Sequence, residues 1–246
     1  MIFSLLLAAV AATTSVKVDT ALPAGSILVR SIEGDTIKVD IDQRGTNPKK
    51  GGWFYWAFRV LDAGGRKLTV KFSTGRSPAV GSRGAAVSFD RGETWEWTDV
   101  LDPEAPKEEQ TKDHKDQYGF TLKIPEGKNE VWFSQTLPYG LKEWNEFLAR
   151  HAAERGKIFE TSVLCKTRQD REVPLLSIGR LDGKAKYRLF LSSRHHCGEA
   201  TATICIEGIL EAFFAANELG LWLRENVEAW AVPFVDLDGV IAGDQG

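Results

Sequence analysis

The sequence contains few cysteines and no excess of charge of one sign. Its three cysteines, Cys165, Cys197 and Cys205, are too few and too scattered for a disulfide framework. There are 31 lysine and arginine residues against 34 aspartate and glutamate residues, a net charge of −3. This near balance gives no support to a nucleic-acid or polybasic membrane partner, and we expect neither. Cys205 falls in an apolar helical pattern and is predicted to be a small core residue.

Long apolar runs are also missing. The run at residues 2–12 is too short to cross a bilayer as a helix, and we predict no integral membrane segment. Small residues follow the run, as they do in secretory signals. We therefore expect residues 1–15 to be a signal peptide and the protein to be secreted or periplasmic. One feature argues against export, because no lysine or arginine precedes the run.

Residues 16–137 have the pattern of a β-sandwich. Alternating segments such as DTIKVDI and RKLTVKF, separated by turns rich in glycine and aspartate, predict short antiparallel strands. The turn DAGG at residues 62–65 predicts a hairpin between the strands on either side of it. The segment SFDRGETW at residues 88–95 resembles the Asp-box, a β-hairpin turn that is structural rather than catalytic.

From Pro138 onward the pattern mixes helices and strands. YGLKEWNEFLARHAAER has apolar residues at helical spacing. Two strands joined by the turn LDGK at residues 181–184, a buried helix and another apolar strand then follow. This β-β-α-β order predicts a mixed sheet with a crossover helix. The predicted fold class is therefore α+β with two domains, an antiparallel β-sandwich at residues 16–137 and an α/β domain at residues 138–246.

The segment RHHCGEA places two histidines, a cysteine and a carboxylate between a predicted strand and a predicted helix. Ligands of open α/β sheets bind beyond the carboxyl ends of the strands. If the next strand runs parallel to the first, Asp236 and Asp238 reach the same edge of the sheet. Two polar clusters from separate connections then meet in one crevice.

Three interpretations of this segment stay open from the residues alone. His196 and Glu199 are three positions apart and can supply two of the three protein ligands of a hydrolytic zinc. A nucleophilic pair of Cys197 and His196 is disfavoured, because residues adjacent in sequence are poorly placed for thiol-to-imidazole contact. The third interpretation is a polar loop in which Glu199 interacts favourably with the helix N-terminus.

The same segment resembles the zinc-binding segment of the metallocarboxypeptidases, in which Arg-x-His-x-Gly-Glu precedes a helix. The matching residues are Arg194, His196, Gly198 and Glu199. The order of a β-rich region followed by LPYGLKEWNEFL is similar to the cytosolic-carboxypeptidase-like branch. In that branch a β-sandwich precedes the catalytic domain.

A second signature of the same family is similar to VPFVDLDGV, at residues 232–240. The family pattern is Pro-x-x-Asn-Pro-Asp-Gly-Val, on a turn that a buried strand delivers into the cleft. The matching residues are Pro233, Asp238, Gly239 and Val240. Asp236 and Leu237 replace the usual asparagine and proline.

The resemblance implies that His196 and Glu199 bind Zn²⁺ and that Arg194, Asp236 and Asp238 belong to the substrate-binding cleft. It implies no catalytic residue within this chain. The third ligand, the substrate-binding arginines and the general base are expected beyond Gly246. We therefore expect the front part of an α/β zinc-peptidase domain that is truncated on its C-terminal side.

The predicted function is that of a zinc metallocarboxypeptidase, which hydrolyses the last peptide bond of a peptide or protein C-terminus. The incomplete chain is expected to be inactive alone. One alternative is a secreted glycan- or peptide-binding sandwich protein with a vestigial zinc half-site. The aromatic residues for such binding would be Trp53, Trp56, Trp95, Trp97 and Trp132. Another alternative is a peptidoglycan amidase that uses the same zinc chemistry.

Overall fold

The computed structural model describes residues 15–44, 52–72, 79–81, 83–101 and 119–244. The predicted signal peptide lies outside the described residues, except for Ser15. The elements up to residue 134 are β1 (Lys17–Asp19), β2 (Leu28–Glu33), β3 (Thr36–Asp40), β4 (Ala57–Leu61), β5 (Lys67–Phe72), β6 (Ala86–Ser88), β7 (Glu96–Trp97), helix α1 (Thr98–Leu101), β8 (Gly119–Lys123) and β9 (Glu130–Ser134).

The elements after residue 140 are α2 (Leu141–Arg150), a short 3-10 helix (Ala152–Glu154), β10 (Phe159–Lys166), β11 (Glu172–Gly179), β12 (Tyr187–Ser192), α3 (Ala200–Phe214), α4 (Glu218–Asn226), β13 (Val227–Val232) and α5 (Leu237–Ala242). None of the helices in the described ranges is long and apolar enough to cross a membrane.

Two sheets form a β-sandwich, in the strand orders β1-β4-β9-β6-β7 and β2-β3-β5-β8. The strands bury alternate residues, as expected when one face of a sheet covers a core. Aromatic rings meet across the two sheets, with 4.9 Å between the ring centroids of Trp56 and Phe72 and 5.0 Å between those of Phe120 and Phe133. All described strand pairs of the sandwich are antiparallel except β3 and β5.

The predicted hairpin at residues 62–65 is wrong. Strand β4 before the turn belongs to the five-stranded sheet, and β5 after it belongs to the four-stranded sheet. Asp62 and Gly65 do adopt the positive φ angles that a tight turn requires, 60° and 74°. Turn residues predict a local reversal of the chain, and this reversal carries the chain from one layer of the sandwich to the other.

The second part of the chain is a mixed four-stranded sheet in the order β10-β11-β13-β12. Strands β12 and β13 are parallel and are joined through α3 and α4, as the sequence predicts. Strands β11 and β12 are consecutive in the chain but are separated in the sheet by β13. The predicted fold class, a β-sandwich followed by an α/β mixed-sheet domain, is confirmed.

Helix α3 buries one face against the sheet through Ile206, Leu210 and Phe213. Its other face exposes apolar side chains such as Ile209. Cys205 lies on the exposed side, so its prediction as a core residue is wrong. Apolar residues lie on more than one face of the helix, and the pattern therefore could not indicate which apolar face packs inward.

Hydrophobic cores form separately in residues 16–133 and 139–240. Polar contacts join the two parts. Lys142 of α2 pairs with Glu93 of the Asp-box turn, with 2.9 Å between Nζ and Oε2. Arg44 pairs with Asp244 and donates a hydrogen bond to the carbonyl of Ala242 at 2.9 Å. These contacts join the sandwich to the start of α2 and to the end of α5.

Candidate metal centre

The loops after β12 and β13 remain paired beyond the ends of the two strands. The N–H of Val235 donates to the carbonyl of Ser193 at 3.0 Å, and the N–H of Asp236 donates to that of Arg194, also at 3.0 Å. The side chain of Ser193 is buried and donates to the carbonyl of Pro233 at 2.6 Å. These bonds bring the two polar clusters to one edge of the sheet, as the parallel arrangement predicts.

His196 and Glu199 lie at this edge with their side chains in contact. Nδ1 of His196 is 3.2 Å from Oε1 of Glu199. The two side chains are 68% and 49% exposed. The N–H of Glu199 donates to the carbonyl of His196 at 3.1 Å, so a tight turn just before α3 sets the distance between them. His195 is also exposed.

Arg194 is buried and forms hydrogen bonds that position the His196 loop. Its backbone has a φ of 59°, which is unusual for a residue with a side chain. Nε donates to the carbonyl of Cys197 at 2.6 Å, and Nη1 donates to the carbonyl of Tyr139 at 2.7 Å. The residue is only 5% exposed. Arg194 therefore ties the His196 loop to the segment that begins α2.

The structure disfavours a thiol–imidazole pair. Cys197 is buried, whereas the neighbouring His196 points its side chain to solvent. Burial raises the pKa of the Cys197 thiol to about 12, and the negative charges of Asp236 and Asp244 act in the same direction. A nucleophilic cysteine needs a lowered pKa and an accessible thiolate, so Cys197 supports the loop by packing.

Asp236 and Asp238 have partners within the protein. Oδ1 of Asp236 accepts the N–H of Gly239 at 3.0 Å and so caps α5. Oδ1 of Asp238 lies 2.5 Å from Nη1 of Arg171 and accepts the hydroxyl of Thr167 at 2.9 Å. Burial opposes ionisation of Asp238, but Arg171 and Thr167 outweigh it and lower its pKa. The predicted roles of Asp236, Asp238 and Arg194 in substrate binding stay predictions.

His196 and Glu199 fit a zinc ion as a partial ligand set. Imidazole nitrogen and carboxylate oxygen are common zinc ligands, and both side chains are accessible and side by side. Within the described residues, no group of three or more histidines, cysteines, aspartates and glutamates is arranged to hold a metal. The chemistry of the two donors therefore matches two ligands of a hydrolytic zinc, and the described part of the chain provides no third.

Sequence reasoning missed two residues that shape the site. Tyr55, next to the start of β4, packs against Gly198, and the carbonyl of Tyr139 accepts a hydrogen bond from the guanidinium of Arg194. The first contact depends on how the sandwich sits on the second sheet. The second depends on a backbone carbonyl, which any residue provides. No local pattern in the sequence signals either contact.

No protein-family profile matches the chain. It is 28% identical over 138 residues to human cytosolic carboxypeptidase 1, covering 51% of this chain and 11% of that protein. Cytosolic carboxypeptidase 6 of Caenorhabditis elegans is 25% identical over 135 residues, covering 53% of this chain and 29% of that protein. The chain thus spans less than a third of the length of these relatives.

Solved structures resemble almost the whole described fold. A metallo-carboxypeptidase from Burkholderia cenocepacia superposes with a TM-score of 0.74 at 20% identity, covering 94% of this chain and 59% of that chain. A metallo-carboxypeptidase from Pseudomonas aeruginosa has a TM-score of 0.70 at 20% identity, covering 93% and 58%. Both the sandwich and the mixed sheet therefore have counterparts in one chain.

These relatives contradict the predicted secretion or periplasmic location. The curated proteins that match are cytosolic carboxypeptidases. The apolar run at residues 2–12 lacks the preceding lysine or arginine that begins a signal peptide. The sequence relatives of the chain are cytosolic carboxypeptidases and its fold is that of bacterial metallo-carboxypeptidases, which supports its place in the metallocarboxypeptidase family.

Proposed function

We propose that the chain carries the zinc-binding part of a metallocarboxypeptidase, which removes the last amino acid of a peptide or protein. The observation that supports this most strongly is the contact between His196 and Glu199, two accessible ligand types 3.2 Å apart at the carboxyl end of a parallel strand. Arg194 and Asp236 would hold the surrounding loops in position. By analogy with the curated relatives, the protein would act in the cytoplasm.

Zinc bound at this pair would supply a Lewis acid that activates water and polarises a peptide carbonyl. The chain's own residues perform simpler tasks. His196 must present a neutral ring nitrogen, and Glu199 must be ionised, for either to act as a ligand. Their orientation is fixed by the turn before α3 and by Arg194 below it. The described residues provide two ligands, which do not close a hydrolytic site, so we propose that residues 1–246 alone bind zinc weakly and have little or no peptidase activity.

Calorimetric titration of the chain with zinc tests the proposed ligands. We expect one-to-one binding in the range of roughly micromolar or weaker, because the described residues provide one ligand fewer than the usual three. His196→Ala and Glu199→Ala should each abolish it. His195→Ala removes the adjacent exposed imidazole and should leave it unchanged. Zinc binding that survives His196→Ala would contradict the proposed ligand assignment.

The reaction is tested with a peptide that has a free C-terminus and with its amidated counterpart. A metallocarboxypeptidase releases the terminal amino acid from the free form alone, in a reaction that a chelator abolishes. Equal release from both peptides, or release that persists after the metal is removed, would contradict the proposed activity.

A further inference from the structure

A cavity lies between the sandwich and the second part of the chain. Its volume is about 400 Å³, within the range of small-molecule sites. The sandwich contributes residues 22–24, the start of β4, the Asp-box turn and Trp132 of β9, and the second part contributes the start of α2, Arg194 and residues of α3 and α5. The walls are mainly aromatic and aliphatic, and include Leu22, Tyr55, Trp95, Trp132, Tyr139 and Leu141. We call this space the interdomain cleft.

Arg194 lines the interdomain cleft as a buried cation. Two of its nitrogens donate to the carbonyls of Cys197 and Tyr139, which carry no formal charge. No carboxylate forms an ion pair with it among the residues that the structure describes. A buried guanidinium without an opposite charge is costly, and an anionic partner relieves that cost.

The other charges of the lining already have partners. Arg91 pairs with Glu130 at 2.8 Å, and Lys142 pairs with Glu93 at 2.9 Å. The carboxylate of Glu143 accepts the N–H of Gly140 at 2.7 Å. The lining contains three cations and two carboxylates, so its formal charge is positive. Arg194 is the lining cation that forms no ion pair with a carboxylate among the described residues.

We infer that the interdomain cleft binds a small aromatic carboxylate, whose carboxylate contacts Arg194 and whose ring lies among Trp95, Trp132 and Tyr139. A guanidinium binds a planar carboxylate through charge-assisted hydrogen bonds. Aromatic walls favour a ring over an extended polar chain. Neither His196 nor Glu199 lines the cleft. The ligand is therefore held apart from the proposed metal ligands, and the inference does not depend on the proposed hydrolysis.

The test compares N-acetyl-L-phenylalanine with N-acetyl-L-phenylalanine amide, which has nearly the same shape but no charge. Binding to the chain of residues 1–246 is followed through the indole N–H resonances of Trp95 and Trp132, which are assigned with Trp→Phe variants. We expect saturable shifts with the acid at millimolar or lower concentration. The amide should bind at least tenfold more weakly, because it cannot pair with Arg194.

Two variants separate binding in the cleft from binding elsewhere. Arg194→Gln should remove the preference for the acid over the amide. Leu22→Trp should fill the cleft and abolish binding of both compounds. This variant keeps the contacts of Arg194 to Cys197 and Tyr139, so it tests the site even if Arg194→Gln fails to fold. Arg188→Gln removes an exposed arginine that pairs with Glu228 and serves as the matched control.

The inference is overturned if the acid and the amide bind equally well, or if the acid causes no shift of either indole up to about 10 mM, well above the concentration range of ordinary small-molecule sites. It is also overturned if Leu22→Trp binds the acid as the unmodified chain does. None of these outcomes bears on the zinc titration of His196 and Glu199, so the two proposals are tested independently.

Discussion

Gly198 of the candidate metal loop and Tyr55 of the sandwich lie so close that a Cβ on Gly198 would be 3.0 Å from the Cβ of Tyr55. A side chain at this position would crowd Tyr55, so the contact between the two parts of the chain favours glycine. The contact links the packing of the sandwich directly to the position of His196 and Glu199.

Gly198→Ala is expected to reduce the free energy of unfolding by about 1–3 kcal/mol, the cost typical of overpacking. The loop must also shift to relieve the contact, so zinc binding should weaken in the same variant. Chemical denaturation and the zinc titration measure the two effects. A variant with unchanged stability and unchanged zinc binding would mean that the sandwich does not constrain the loop.

Gly208→Ala in α3 provides the matched control. An added Cβ at Gly208 would meet no atom within 4 Å. Alanine is a better helix former than glycine, so this variant should stabilise the protein by roughly 0.5–1 kcal/mol. Zinc binding should stay the same. The same substitution is thus expected to have opposite effects on stability at the two glycines.

Asp236→Ala is expected to lower stability by about 1 kcal/mol, because Asp236 caps α5 through the N–H of Gly239. Asp236→Asn keeps an oxygen acceptor and should cost much less. Denaturant unfolding measures both variants. If Asp236→Asn were as stable as the unmodified chain yet lost activity on peptides, a direct substrate role would be favoured over the cap.

The three-residue spacing of His196 and Glu199 predicted that their side chains could meet, because one turn of backbone sets the distance between them. Alternation predicted strands of the sandwich such as β5 and β8, which bury every second residue. The hairpin at residues 62–65 was wrong because the partner of each strand is chosen by the core, not by the turn. Strand β10 escaped prediction because most of its residues are exposed, which leaves no alternating pattern.

Contacts made by the backbone or between distant segments left no signal in the sequence. Arg194 matched a family motif, yet the motif does not reveal that its guanidinium is buried beneath the loop and bonded to the carbonyl of Tyr139. The packing of Tyr55 on Gly198 likewise follows from how the two parts dock. Such contacts required the assembled fold.

Cys197 is expected to react far more slowly with iodoacetamide than Cys165 and Cys205 do. The latter two are exposed, whereas burial raises the pKa of the Cys197 thiol to about 12. The thiolate is the reactive form, and at pH 8 it is almost absent at such a site. Mass spectrometry of native and denatured protein measures the difference. Rapid labelling of Cys197 in the native protein would mean that the candidate site contains a reactive thiol.

Asp90 should make the sandwich sensitive to acid. The hydroxyl of Thr94, its N–H and the hydroxyl of Ser88 all donate to the carboxylate, and together they lower the pKa of Asp90 to about 2. A lowered folded-state pKa stabilises the protein above the unfolded value of 3.8, and that contribution is lost as pH falls from about 4 towards 2. Because Asp90 is exposed, screening limits the effect to about 1 kcal/mol.

Asp90→Ala should therefore unfold at lower denaturant concentration than the unmodified chain at pH 7, and this difference in unfolding midpoint should narrow by pH 3. Glu96→Gln, at an exposed position in β7, is the control and should show no such convergence. A gap that stays constant from pH 7 to pH 3 would contradict the role assigned to the ionised carboxylate.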